Sequence, residues 1–70
     1  SSNQITNITP LANLTNLDSL YLGDNKISDV TPLSGLTQLT FVQLSINQIK
    51  DVTPLANLTK LNYLDLRENQ

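Results

Sequence analysis

Leu17-Asp18-Ser19-Leu20-Tyr21-Leu22-Gly23-Asp24-Asn25-Lys26-Ile27 is the stretch on which the fold turns. Leu20 and Leu22 alternate with Ser19, Tyr21 and Gly23, the period of two that marks a half-buried strand. Asn25 follows where the strand has to turn away, and Ile27 resumes the apolar pattern. The spacing returns 22 residues later as Leu39, Val42, Leu44, Asn47 and Ile49, and again as Leu61, Leu64, Leu66 and Asn69.

Outward from this stretch, residues 3–24, 25–46 and 47–68 align without a gap. Each opens with an asparagine (Asn3, Asn25, Asn47), Asn69-Gln70 opens a partial fourth repeat, and Ser1-Ser2 read as the close of a preceding one. Seven apolar positions recur. In the second repeat they are Ile27, Val30, Leu33, Leu36, Leu39, Val42 and Leu44, with counterparts 22 residues to either side. One repeat cannot cover its own leucines, so such a ladder implies a core made by stacking neighbours.

Stacked strands of this kind run parallel, which requires a crossover of a dozen or more residues, right-handed in nearly all proteins. The rest of each repeat supplies that length. Thr9-Pro10, Thr31-Pro32 and Thr53-Pro54 suggest a hydroxyl N-cap followed by proline in the first helical turn. Asn13, Gly35 and Asn57, three residues after each proline, are types that tolerate the left-handed conformation ending a helix. One turn of 3-10 or α-helix is therefore expected in each return segment. An asparagine inside a leucine stack must be hydrogen-bonded. The ladder Asn3, Asn25, Asn47 and Asn69 is expected to serve the backbone of its own turn and of the next repeat.

Composition narrows the function. Four cations, Lys26, Lys50, Lys60 and Arg67, are unclustered in a chain of net charge −2, which argues against a nucleic-acid surface. No apolar run approaches the ~20 residues of a membrane span. Histidine and cysteine are absent and there are two glycines, so no phosphate loop, thiolate metal site or nucleophile–base pair is legible. No enzyme activity, cofactor or metal site is expected. The sequons at Asn7, Asn13 and Asn57 follow from the repetition of the motif itself.

The pattern N-Q-I-x-D-V-T-P-L-A-N-L-T-x-L-x-x-L-x-L resembles the leucine-rich repeats of the internalins, bacterial surface proteins that bind host receptors. The likeness covers the whole chain, through the 22-residue period, the T-P-L triplet and the L-T-x-L return. It implies an α/β fold: a right-handed leucine-rich-repeat solenoid with short parallel strands on the concave face and short 3-10 or α turns on the convex face. It also implies a bacterial cell-surface or secreted setting; intracellular bacterial proteins with similar repeats leave a cytoplasmic one open. The helical cap and immunoglobulin-like segment that flank internalin repeats are not in these residues, so the chain reads as a single repeat segment, 1–70.

In such a solenoid the outward strand positions form columns: Ser19, Phe41, Tyr63; Tyr21, Gln43, Asp65; Gly23, Ser45, Arg67. Parallel neighbours lie about 4.8 Å apart, so Tyr21, Phe41 and Tyr63 can form one aromatic patch. Aromatics are enriched in interface hot spots, and they also suit strands wherever they fall. The binding residues expected on the concave face are Ser19, Tyr21, Phe41, Gln43, Ser45, Tyr63, Asp65 and Arg67, taking a protein partner. Asp65, Arg67 and Glu68 read either as a charged rim or as a solvated sheet end. Asn7, Asp29 and Asp51 read either as a cation site or as local turn bonding, and Ile46 as an ordinary exposed residue.

A second function class competes with recognition. Exposed leucines and open strand edges in the first and last repeats are a template for another copy. The alternative is a structural segment that self-associates head to tail.

Overall fold

The computed structural model describes residues 3–69. The readings placed on Ser1, Ser2 and Gln70 lie outside the described residues. Three three-residue strands, β1 (Ser19–Tyr21), β2 (Phe41–Gln43) and β3 (Tyr63–Asp65), form one parallel sheet in chain order. Ser19 pairs with Phe41 and Phe41 with Tyr63, Leu20 with Val42 and Val42 with Leu64. The register is the 22-residue step of the sequence, so every outward column faces one side. Backbone pairing runs on past the strands: Leu22 N–H donates to Gln43 O at 2.8 Å and Asp24 N–H to Ser45 O at 2.9 Å. Leu44 N–H to Asp65 O and Ile46 N–H to Arg67 O, both 2.9 Å, repeat that pattern.

The return segments are 3-10 helices at Thr9–Asn13, Thr31–Leu33 and Thr53–Asn57, each with its proline in the first turn. With the parallel sheet they make the expected leucine-rich-repeat solenoid. The caps differ from expectation. Each threonine is the first helical residue, and its N–H is taken by the residue two before it: Thr9 by Asn7 Oδ1, Thr31 by Asp29 Oδ1 and Thr53 by Asp51 Oδ1, at 2.9–3.0 Å. A short carboxylate or amide reaches a backbone N–H two residues on with little loss of freedom. That bonding accounts for Asn7, Asp29 and Asp51 without a cation.

Asn13, Gly35 and Asn57 are not left-handed either. The non-glycine residues with positive φ are Asp24 (61°), Ile46 (57°) and Glu68 (59°), one step before each ladder asparagine, and no described glycine has one. The tight bend lies where the strand turns away.

Burial follows the stacking. All seven ladder positions of the second repeat are at most 1% exposed, whereas Ile5, Leu14, Val52 and Leu64 in the outer repeats are 40–47% exposed. Only the second repeat has a described neighbour on both sides, and nearest-neighbour burial is how a repeat stack is stabilised.

Candidate functional site

Three rings cross the outer face of the sheet in one row. Phe41 and Tyr63, partners across β2 and β3, stack with centroids 4.5 Å apart and planes 5° apart. Tyr21 is one column over, yet its ring leans to within 4.7 Å of Phe41 at 34°. Ser19, the residue that pairs with Phe41, is small and leaves the space into which Tyr21 leans. The row is partly open: Tyr21 is 69% and Tyr63 43% exposed, while Phe41 between them is half-buried.

The neighbouring columns are polar and tied together. Gln43 donates from Nε2 to Asp65 Oδ2 at 3.0 Å and accepts Ser45 N–H on Oε1 at 2.7 Å. Asp65 also takes the Arg67 guanidinium in a two-pronged pair, Nε to Oδ1 at 3.0 Å and a terminal nitrogen to Oδ2 at 2.7 Å, and the Arg67 backbone N–H at 3.1 Å. The Tyr63 hydroxyl donates to the same carboxylate at 3.3 Å. The Arg67 hydrogen bonds, with smaller help from Gln43, hold the Asp65 carboxyl well below the usual carboxylate range.

Asp65 is 5% exposed, so neither rim reading describes it: it anchors a network, and the Arg67 side chain, 81% exposed, presents the charge. The sequence did carry the signal, because residues two apart on a strand share a face and an Asp-x-Arg pair can close there. Ser19 is exposed, Gly23 and Ser45 half-buried. A Cβ on Gly23 would come within 3.3 Å of Gln43 Oε1, so a small residue suits that position.

The asparagines lie at the sheet's other limit. Asn47 donates to Leu44 O and Ser45 O in its own turn and to Leu22 O, and accepts Ile27 N–H. Asn69 repeats this with Leu66 O, Arg67 O, Leu44 O and Ile49 N–H. Asn25 takes Ile5 N–H and donates to Leu22 O and Gly23 O. Asn3 gives its backbone N–H to Asp24 O. The side-chain bonds of Asn25, Asn47 and Asn69 that leave their own turn therefore run to the preceding repeat and not to the following one, because the side chain points back along the stack, while the backbone N–H of Asn3 and Asn25 bonds forward. Among the described residues no buried side-chain nitrogen or oxygen lacks a partner, and no three acidic side chains converge on a metal-sized space. No described helix is long and apolar enough to cross a membrane.

Residues 1–35 match the family described as Leucine Rich repeats (2 copies). No curated protein matches the chain. Solved structures do. The chain is similar to an internalin, InlF, from Listeria monocytogenes, at 51% identity and a TM-score of 0.96 over 97% of this chain and 20% of that one. It is also similar to internalin C2 from the same organism, at 51% identity and a TM-score of 0.94 over 96% of this chain and 30% of that one. The chain thus spans less than a third of the length of either structure.

Proposed function

This chain belongs to the leucine-rich repeat family, with the repeat architecture of the internalins, and we propose that it works as a protein-recognition module through the outer face of its sheet. Protein binding is the general business of leucine-rich repeats. The finer reading, that this face does the binding, rests on the aromatic row Tyr21–Phe41–Tyr63.

Three rings fixed on a hydrogen-bonded sheet present apolar area that loses little side-chain freedom on contact, which is what makes rigid aromatics effective interface anchors. Gln43, Ser45 and Asp65 beside them are already hydrogen-bonded to one another, so they meet a partner as a fixed polar border, with the exposed Arg67 guanidinium paired to Asp65 at its edge. The work is binding and not catalysis. Nothing on this face pairs a nucleophile with a base, and its one strongly shifted acid is held by Arg67.

The test is selection of displayed peptides on the chain, with competition by a variant carrying Tyr21→Ser and Tyr63→Ser. Both side chains are exposed enough for the fold to tolerate the change. Binders that lose at least tenfold affinity for the variant and shift the Phe41, Gln43 and Tyr63 amide resonances support the reading. Binders indifferent to the variant and mapping to the 3-10 side overturn it.

A further inference from the structure

Ile46 is the one exposed large apolar side chain of the second repeat, at 44%, in a repeat whose seven ladder positions are at most 1% exposed. Its exposure does not come from a missing neighbour, because the equivalent places on either side are filled by Asp24 and Glu68. The backbone there is fixed: Ile46 N–H donates to Arg67 O at 2.9 Å, and Ile46 O accepts Asn25 N–H at 3.1 Å. The side chain takes no part in the apolar core. It also sits at φ 57°, in the left-handed region that a β-branched residue enters least readily. Asparagine or aspartate makes such a turn at lower cost, and Asp24 does so one repeat back. A residue that strains the backbone, faces water and gives the core nothing is accounted for by what it touches outside the molecule.

The isoleucine stands at the lip of the sheet's outer face. Ser45, the residue before it, belongs to the outward column of Gly23 and Arg67, and the strand rise places Ile46 roughly 15 Å from Phe41 along the strand. Gly23 and Ser45 are small and half-buried, so the surface between the rings and Ile46 is low. Its polar groups are already bonded to one another. On either side of Ile46 stand the carboxylates of Asp24 and Glu68. Among the described residues the one ion pair joins Arg67 to Asp65, so neither Lys26 nor Arg67 forms an ion pair with these two acids.

Resting on the sheet-face reading of function, we propose that Ile46 is a second anchor of that face, taking an apolar side chain of a protein partner that carries a lysine or arginine next to it. The apolar side chain covers Ile46, and the cation meets Asp24 or Glu68. The division of labour follows from the geometry. The aromatic row supplies most of the apolar area, while the isoleucine and its acidic flanks select among apolar segments by the charge beside them. A partner segment with a carboxylate at that place meets like charge and is turned away.

Displayed peptides of roughly twelve residues, long enough to span the face when extended, are selected on the unsubstituted chain, and their affinities for variants are read by fluorescence anisotropy. Ile46→Asn is expected to bind them about tenfold more weakly, the loss of one apolar contact, while its unfolding midpoint rises. A side chain that only supported the fold would move affinity and stability in the same direction. Ile46→Val keeps an apolar contact and is expected to restore affinity to within about fourfold, the worth of one methylene. The pair Asp24→Asn, Glu68→Gln is expected to weaken the binders and to flatten their salt dependence. Binders that weaken on the Tyr21→Ser, Tyr63→Ser chain but keep their affinity for Ile46→Asn overturn the second anchor and leave the sheet-face reading standing. Binders indifferent to both overturn both. Binders that hold equally well to the Asp24→Asn, Glu68→Gln chain overturn the basic partner.

Discussion

Asn47 accepts the Ile27 backbone N–H on Oδ1 at 3.0 Å, across twenty residues of chain, in a site where the asparagine is 8% exposed and the isoleucine fully buried. Its amide meets three carbonyls besides. Replacing Asn47 with alanine leaves those groups unpaired away from water, at a cost of roughly 1–3 kcal/mol. A 70-residue chain has only about 4–10 kcal/mol of stability to lose. Asn47→Ala is expected to lower the chemical-denaturation midpoint more than Asn25→Ala, since Asn25 makes three such bonds where Asn47 makes four.

Ile46 holds φ at 57°, a conformation that costs an L-residue roughly 1–2 kcal/mol and suits a β-branched side chain least. Its counterparts are Asp24 and Glu68, so the strain belongs to the side chain and not to the turn. Ile46 is 44% exposed, and little packing is lost by removing it. Ile46→Asn is expected to raise the unfolding midpoint by about 1 kcal/mol of stability, because asparagine enters this region at low cost. Ile46→Val keeps the strain and is expected to give no gain in the same measurement.

The Asp65 carboxyl titrates well below its ordinary range because of Arg67, and Asp29 and Asp51 are lowered by the hydroxyl and then the backbone N–H of Thr31 and Thr53. A depressed folded-state value means that the unfolded chain binds the proton first. These groups therefore contribute stability above the unfolded value of about 3.9, and the contribution fades as pH falls below it. The melting temperature is expected to be level above about pH 5 and to drop in acid. Asp65→Asn is expected to flatten that drop.

Val30 and Val52 occupy the same place in successive repeats but are 1% and 47% exposed. Fully burying a valine is worth about 1.5–3 kcal/mol. Val30→Ala is therefore expected to lower stability by about 2 kcal/mol and Val52→Ala by half of that or less, read from urea unfolding. Equal losses would mean that the second repeat's burial gives it no special weight.

What the sequence made legible was whatever depends on period alone. The strands, their parallel register and the wholly buried second repeat follow from apolar spacing, and so does the neighbourhood of Phe41 and Tyr63. Backbone detail was not legible in the same way. Threonine before proline is a good cap in general, but here Asn7, Asp29 and Asp51 accept the threonine's own N–H from two residues away, and the threonine becomes the first helical residue. Asn13 and Gly35 tolerate left-handed geometry, yet tolerance does not create the need for it. The bend sits at Asp24, Ile46 and Glu68, and isoleucine gives no local sign of such a site. Asp65 was read as a surface charge because period places it outward. Its burial comes from Gln43, Tyr63 and Arg67 folding over it; the two-residue spacing to Arg67 allowed that pair, but the period alone did not require it.

The backward direction of the asparagine side-chain bonds has a consequence for how the chain is made. Ile27 N–H finds its side-chain partner in Asn47 and Ile49 N–H in Asn69, and the same two amides add a second bond to Leu22 O and Leu44 O, which Asn25 and Asn47 already hold. During synthesis each of these asparagine side chains therefore emerges after the groups that it binds. Each turn is first bonded by its own asparagine, Asn25 to Leu22 O and Gly23 O or Asn47 to Leu44 O and Ser45 O, and the next repeat's amide adds to those bonds when it arrives. Each repeat is therefore completed by the one that follows it, and the array is finished in the direction of translation.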